Sequence, residues 1–300
     1  MSAPQPTQAK RAFVRWAVEK RRRSERRACF LVGLPRQTCR YHPRWQQAQR
    51  EARLVERMKQ IAGKQVRFGY RRVHALLRRC GGEFAHVNHK RVYRLWRREG
   101  LAVRRRTKRK RPATAPKQER PCAADRPNAV WCVDFVQDQT ITGRTLRFLS
   151  VTDEFTRESL AVEVATCLPA TRVSEVLGRV IIERGYAPRH LRSDNGPEFI
   201  ALALRGFLNR SGVETAYIEK GKPWQNGFAE SFHGRLRDEF LNQEVFLSVL
   251  DARVRTETWR RWYNQERPHS SLGYQTPCEF AARYKAGKHK TAEALSPAGT

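Results

Sequence analysis

Three acids stand where an isolated carboxylate is costly: Asp134 inside the apolar run "WCVDFV", Asp194 where "LRSDNGPEFI" breaks at Asn-Gly-Pro, and Glu230 in "PWQNGFAESFHGRLRDEF". A carboxylate beside buried positions needs a proton, a counter-charge or a metal ion to offset its desolvation. Strand alternation sets Trp131, Val133 and Phe135 on one face and Cys132, Asp134 and Val136 on the other, which leaves Asp134 a lone acid among apolar neighbours. Asp194 falls at the carboxyl end of a short strand, where open α/β sheets place their functional crevice. At about 100° per residue, Phe228, Phe232, Leu236 and Phe240 form an apolar stripe, while Glu230, His233 and Arg237 share another edge. Carboxylates from two strands and a helix are hard oxygen ligands suited to Mg²⁺ or Mn²⁺. Two such ions about 4 Å apart activate an oxygen nucleophile, stabilise a leaving oxygen and hold a phosphodiester for in-line displacement. With 29 acids in the chain, a pair with 35 residues between also arises by accident, and a strand Asp salt-bridged to an arginine fits the same pattern. Spacing alone leaves both readings open.

The elements that must position these acids are legible as a pattern. "AVWCVDFV", "TLRFLSVTDEF" and "ESLAVEVAT" read as three strands joined by short polar turns, an antiparallel meander. A helix follows (Val173, Val176, Leu177, Val180, Ile181), then a strand around Leu191, a helix from Glu198 to about Arg210, and the strand "VETAYI". A long helix starts near Asn226, and a last one near 249–264 carries Val254, Trp259 and Trp262. The order predicts an α/β domain over 128–284, a mixed five-stranded sheet with flanking helices, and a polar tail over 285–300.

Upstream the chain is different. Residues 1–120 hold 36 Lys and Arg against 7 Asp and Glu, a net +29, whereas residues 121–300 hold 24 against 22, a net +2. A field this lopsided favours a polyanion and marks a DNA-binding region attached to a balanced domain. A polybasic membrane-surface protein is disfavoured, because no lipid-facing amphipathic stretch or lipidation signal accompanies the charge. The longest run free of Lys, Arg, Asp and Glu is the polar 268–278, which excludes a spanning helix and a secretory signal and predicts a cytoplasmic, nucleoid-associated protein. Seven cysteines with no CxxC pair exclude a disulfide framework and a zinc ribbon.

Within the basic region, 1–103, "SERRACFLVGLPRQTCRYH" reads as helix, turn at Gly33, helix, with Arg36, Arg40 and Arg44 placed for phosphates or base edges. An ordinary helical hairpin gives the same outline. A second helical unit follows, with Leu54, Val55, Met58 and Ile61, then Val73, Leu76 and Leu77, then Val92, Leu95 and Trp96 at helical spacing. Asn88 is the expected cap of its last helix and Gly100 its end, and Lys90, Arg91 and Arg94 on that helix are expected DNA contacts. His74, His86 and His89 lack thiolate partners at zinc-ligand spacing and read as surface or capping residues. Residues 104–127, rich in Arg, Lys and Pro, have lost periodicity and read as a linker.

"WCVDFV", "RSDNGPEF" and "GKPWQNGFAESFHGRLRDE" together closely resemble the Asp-Asp-Glu transposases of two-reading-frame bacterial insertion sequences, relatives of retroviral integrases. The likeness extends to "YNQERPHSSLGYQTPCEF" and to "YRRVHALLRR" with "NHKRVYRLWRREGL", covering roughly 24–284. It implies an RNase H-like fold, Asp134, Asp194 and Glu230 as catalytic metal ligands, and Arg237, seven after the Glu, as a DNA contact. Trp224, Gln225, Asn226 and Gly227 correspond to a mobile active-site loop, with Gln225 and Asn226 expected at the DNA. The position that often carries a second basic residue is Gly234 here, with Arg235 beside it as the substitute contact. The resemblance also implies multimerisation on double-stranded DNA, with terminal inverted repeats and target as substrates, and an upstream-frame protein or fusion that supplies a further segment.

The remaining polar residues carry plainer expectations. Asp153 and Glu154 read as a strand-end turn, Glu198 as favouring a helix N-terminus, and Asp138 and Asp238 as solvated charge. His233 fits either a DNA contact or the surface. The function expected is metal-dependent cleavage at element ends followed by 3′-hydroxyl attack on a phosphodiester. A hydrolytic RNase H-like nuclease and an inactive DNA-binding regulator are the alternatives.

Overall fold

The computed structural model describes residues 6–40, 44–102, 122–219 and 223–295, without the side chains of 6–8, 44–47, 223–224 and 287–295. Most of the expected linker and the side chains of Arg44 and Trp224 thus lie outside the described residues. The chain forms two compact units, divided between Gln60 and Ile61.

The first unit is helical: α1 (Pro6–Glu19), α2 (Glu25–Leu31), α3 (Arg36–Arg40) and most of α4 (Arg44–Lys64). Ser24 caps α2 by accepting from Arg27 N, and Gly33 at φ +59° turns the chain into α3. The expected helix, turn and helix are therefore present. Their core is small, with Val14 and Ala17 of α1 packed on Ala28, Cys29 and Leu34. Helix α1 has no counterpart in the expectations above.

The second unit begins with the end of α4, α5 (Tyr70–Arg79) and α6 (His89–Arg98). Asn88 caps α6, its Oδ1 accepting from Lys90 N, and Gly100 at φ +67° follows its end, both as expected. Strands β1 (Val130–Gln139), β2 (Thr145–Asp153), β3 (Ser159–Ala165), β4 (His190–Ser193) and β5 (Glu214–Tyr217) form one sheet in the order β3-β2-β1-β4-β5. Pairing is antiparallel among β1, β2 and β3 and parallel from β1 through β4 to β5, an RNase H-like mixed sheet.

Alternation along the strands builds two cores. Trp131, Val133, Leu149, Val151 and Leu191 face α7 (Ala170–Arg184), α8 (Pro197–Ile200) and α9 (Leu202–Arg210). Val136, Leu146, Phe148 and Val164 face α10 (Gly227–Glu239) and α11 (Val249–Gln265), where Phe232, Leu236, Phe240, Trp259 and Tyr263 meet them. Asp134 shares the parity of Val136, so it points at the α10 side.

Two local expectations are corrected. The single helix from Glu198 to Arg210 is two, broken at Ala201, whose ψ of 139° is extended. The polar tail is largely helical, because α12 (Pro277–Leu295) runs on through it. Among the described residues no helix is long and apolar enough to cross a membrane, and the seven cysteines are unpaired.

Candidate active site

Parallel pairing of β1 with β4 aligns Val130 with His190, Trp131 with Leu191 and Cys132 with Arg192. Asp134 lies two residues further along β1, on the face of Cys132, and Asp194 directly follows the last residue of β4, close enough for its charge to bear on the Asp134 carboxyl. Gly196 N bonds Asp194 Oδ1 at 3.0 Å, and Asn195 Nδ2 bonds Ile218 O at 2.7 Å, fixing the turn that carries the chain off β4. Asn-Gly-Pro thus shapes the exit from the strand, with Asp194 exposed beside it.

Helix α10 is tied to β1 along one edge. Asn226 Nδ2 donates to Asp134 Oδ2 at 2.9 Å, His233 Nδ1 lies 3.7 Å from the same oxygen, and Arg237 donates to Gln137 O at 3.3 Å. Glu230 sits between Asn226 and His233 on that edge, about one turn from each, in the exposed first turn of α10. His233 Nε2 in turn meets Ser150 Oγ at 2.8 Å, and Ser150 is paired opposite Asp134 on β2. Asp134 is therefore held by Phe135 N (2.7 Å) on one oxygen and by Asn226 on the other.

The electrostatics report the same gathering. Burial, and then the negative charges of Asp194 and Glu230, hold the Asp134 carboxyl up at about 6, against the lowering hydrogen bonds from Phe135 N and Asn226. Burial and the Arg237 charge hold His233 down at about 4, so the imidazole is neutral at pH 7. His233, expected at DNA or the surface, is half-buried support for Asp134.

The other expected residues divide by setting. Gln225 is buried, its amide exchanging 3.0 Å hydrogen bonds with Glu219 N and Oε1, and Asn226 is buried against Asp134. Both face inward. Arg235 donates to Ser231 one turn back on α10, away from the Glu230 edge. Arg40 makes a bidentate pair with Glu25 (2.8 and 3.1 Å), with Arg36 Nε 3.8 Å from the same carboxylate. On α6, Val92, Leu95 and Trp96 bury, which leaves Lys90 and Arg94 exposed and Arg91 half-buried. Glu198 pairs with Arg147 of β2 at 2.7 Å. Asp153 and Glu154 do form the turn expected at the end of β2, and it is deeply buried: Asp153 accepts from Asn128, Phe155 and Thr156 N, and Glu154 from Arg192 and the Cys132 thiol.

Ser150 carried no expectation. It could only have been found through the antiparallel register, which places it beside Asp134.

Integrase core domain models match residues 124–223 and 211–277, and an HTH-like domain matches 49–109. The chain is 44% identical over 265 residues to the insertion element IS407 uncharacterized 31.7 kDa protein of Burkholderia multivorans, covering 88% of this chain and 92% of that one. It is 30% identical over 237 residues to the transposase InsD for insertion element IS2 of Escherichia coli, covering 75% and 76%. The chain belongs to the insertion-sequence transposases of the retroviral integrase superfamily. A solved HTLV-2 integrase catalytic core domain in complex with magnesium aligns with 53% of the transposase and 99% of its own length, at 16% identity and a TM-score of 0.43. The HTH-like match of the transposase lies on α4, α5 and α6, downstream of the Gly33 turn on which the helix-turn-helix expectation first rested.

The donor set fits a divalent cation in kind. All three candidate ligands are hard carboxylate oxygens, their mutual repulsion is visible at Asp134, and Asn226 Oδ1 is buried beside them with no hydrogen-bond partner. The carboxylates are gathered but not closed: among the described residues no three His, Cys, Asp or Glu side chains stand in metal-holding geometry.

Proposed function

We infer that this transposase cuts DNA at the ends of its element and joins the freed ends to a target, with Asp134, Asp194 and Glu230 as its catalytic carboxylates. The observation that supports the reading is the bond from Asn226, one turn before Glu230, to Asp134 on β1, together with the Asp194 and Glu230 charges that bear on the Asp134 carboxyl. The three carboxylates would hold Mg²⁺ or Mn²⁺, two ions in the full site, whose chemistry is to sharpen an oxygen nucleophile and offset charge on the phosphate and the leaving oxygen.

The chain's own residues set the stage for two displacements at phosphorus. In the first, a water oxygen attacks the scissile phosphodiester, the P–O3′ bond breaks, and the departing oxygen takes a proton to become a free 3′-hydroxyl. In the second, that hydroxyl attacks a target phosphodiester, loses its proton, and displaces another 3′-oxygen. One ester replaces another, so no external energy source is required. The mechanism is direct displacement without a covalent enzyme intermediate, and the Ser150 hydroxyl beside Asp134 is engaged with His233 and the Asp134 carbonyl. Asn226 and the neutral His233 orient Asp134 without adding charge. Arg237, on the Glu230 edge, faces the position a phosphate would take.

DNA enters through the net +29 of residues 1–120 and the HTH-like match over α4–α6, with Lys90 and Arg94 on the open face of α6. Two element ends must be joined in one event, so the active form contains more than one chain. The test is a labelled duplex carrying the terminal inverted repeat, incubated with protein and Mg²⁺. Joined products are expected. Shortened products alone would indicate a nuclease, and binding without strand breakage a regulator.

A further inference from the structure

Arg235 and Arg237 are separated by about 160° around α10, because five residues from Glu230 is about 140° of rotation one way and seven is about 20° the other way. They therefore serve different surfaces. Arg237 runs beside Glu230, whereas Arg235 lines a cleft of about 270 Å³ on the flank of α10. The opposite wall is the β2–β3 turn, where Arg157 holds φ +65°, a left-handed conformation costly for a side chain with a Cβ. That conformation lays the Arg157 guanidinium 3.9 Å over the ring of Phe228 at the start of α10. Ser231 and Ser271 add hydroxyls to the lining.

The charge inside is positive. The two acids in the lining are already engaged, Asp153 by three backbone amides and Glu154 by Arg192. Behind His269, the guanidiniums of Arg267 and Arg72 share one carboxylate, Glu239, and burial first, then the charges of Arg267, Arg235 and Arg72, push the imidazole toward its neutral form. Arg157 and Arg235 both bear on the buried Tyr263. A concave site lined by two guanidiniums and by serine hydroxyls, with no spare acid, selects a phosphoryl group. Since a helix is about 10 Å across, the cleft lies within a few nucleotides of Glu230.

We propose that the cleft between α10 and the β2–β3 turn is a second phosphate site, in which Arg157 and Arg235 clamp one backbone phosphate of the DNA strand held at the candidate active site. The proposal rests on the transposase reading for the identity of that strand.

The test uses the full-length protein and an element-end duplex, with affinity measured across a salt series. Each phosphate contact contributes about 0.9 to the slope of log K against log salt. Arg157→Gln and Arg235→Gln should each lower the slope by about 0.9, and the double variant by the same amount, because the two arginines share one phosphate. Arg237→Gln should add to either. Ser271→Asp, at an exposed position on the rim, should weaken binding roughly five- to tenfold at low salt while Ser271→Asn matches wild type, which keeps the test independent of the half-buried arginines. Unchanged slopes with unchanged Ser271→Asp affinity overturn the site. Inorganic phosphate binding that is lost in Arg157→Gln, with duplex slopes unchanged, also overturns it and assigns the cleft to a free anion. Wild-type protein that shows the arginine-dependent slope but breaks no strand in Mg²⁺ sinks the transposase mechanism while sustaining the phosphate site.

Discussion

Asn226 donates its side-chain amide to Asp134 Oδ2 across 2.9 Å, linking the residue just before α10 to the middle of β1. The other amide atom, Oδ1, is buried without a partner. The bond fixes the Asp134 rotamer and holds the start of α10, one turn before Glu230, against β1.

Asn226→Ala should therefore reduce strand cleavage by about 10- to 100-fold, the usual cost of losing a residue that orients a metal ligand. Duplex affinity should stay within about twofold, since the side chain faces inward. Single-turnover cleavage and fluorescence anisotropy on the same preparations check both.

Stability should respond to pH in opposite senses at Asp134 and His233. The Asp134 carboxyl is raised to about 6, so the folded state binds more protons than the unfolded chain between about pH 4 and 6, and its contribution falls as pH rises. The His233 imidazole is lowered to about 4, so the folded state binds fewer protons between about pH 4 and 6.5, and its contribution rises with pH. The two largely offset each other in the wild type. Asp134→Asn removes the first alone, so with chelator present it should be more stable than wild type by about 2–3 kcal/mol at pH 7 and nearly equal to it at pH 4. Urea unfolding at both pH values measures the difference.

Gly196→Ala tests the placement of Asp194. The backbone at Gly196, φ −58°, accommodates alanine, but the added Cβ would stand 3.0 Å from Asp194 Oδ1. The carboxylate must move while the fold need not. Melting should shift by less than about 1 kcal/mol, whereas cleavage should fall about 10- to 100-fold from the misplacement.

Much of the candidate site was legible because it rests on local periodicity. Period-two alternation singled out Asp134, and the 3.6-residue repeat put Glu230, His233 and Arg237 on one edge. Pairing register is non-local, so neither the nearness of the Asp194 charge to Asp134 nor the reach of His233 to Ser150 could be read from the chain. Gln225 and Asn226 look like loop polar residues, and only tertiary packing shows that their amides are consumed inside. Helix α12 escaped notice for a different reason: "AARYKAGKHKTAEAL" is rich in good helix formers but has no apolar stripe. The break at Ala201 had no Pro or Gly to announce it.

The buried pair of Arg267 with Glu239 is structural. Arg267 is fully inaccessible, and its bidentate partner also serves Arg72 at 3.5 Å. Glu239→Gln should destabilise the transposase by about 3–5 kcal/mol, because it leaves a buried guanidinium without its counter-charge. Denaturant titration of the variant against wild type checks the size.

The convergence of Asp134, Asp194 and Glu230 on a divalent cation is tested most directly by Mn²⁺ titration of the full-length protein followed by electron paramagnetic resonance. Wild type should take up Mn²⁺, and Asp134→Asn, Asp194→Asn and Glu230→Gln should each weaken uptake at least about tenfold while still binding duplex DNA. Undiminished Mn²⁺ uptake by the triple variant would contradict the account.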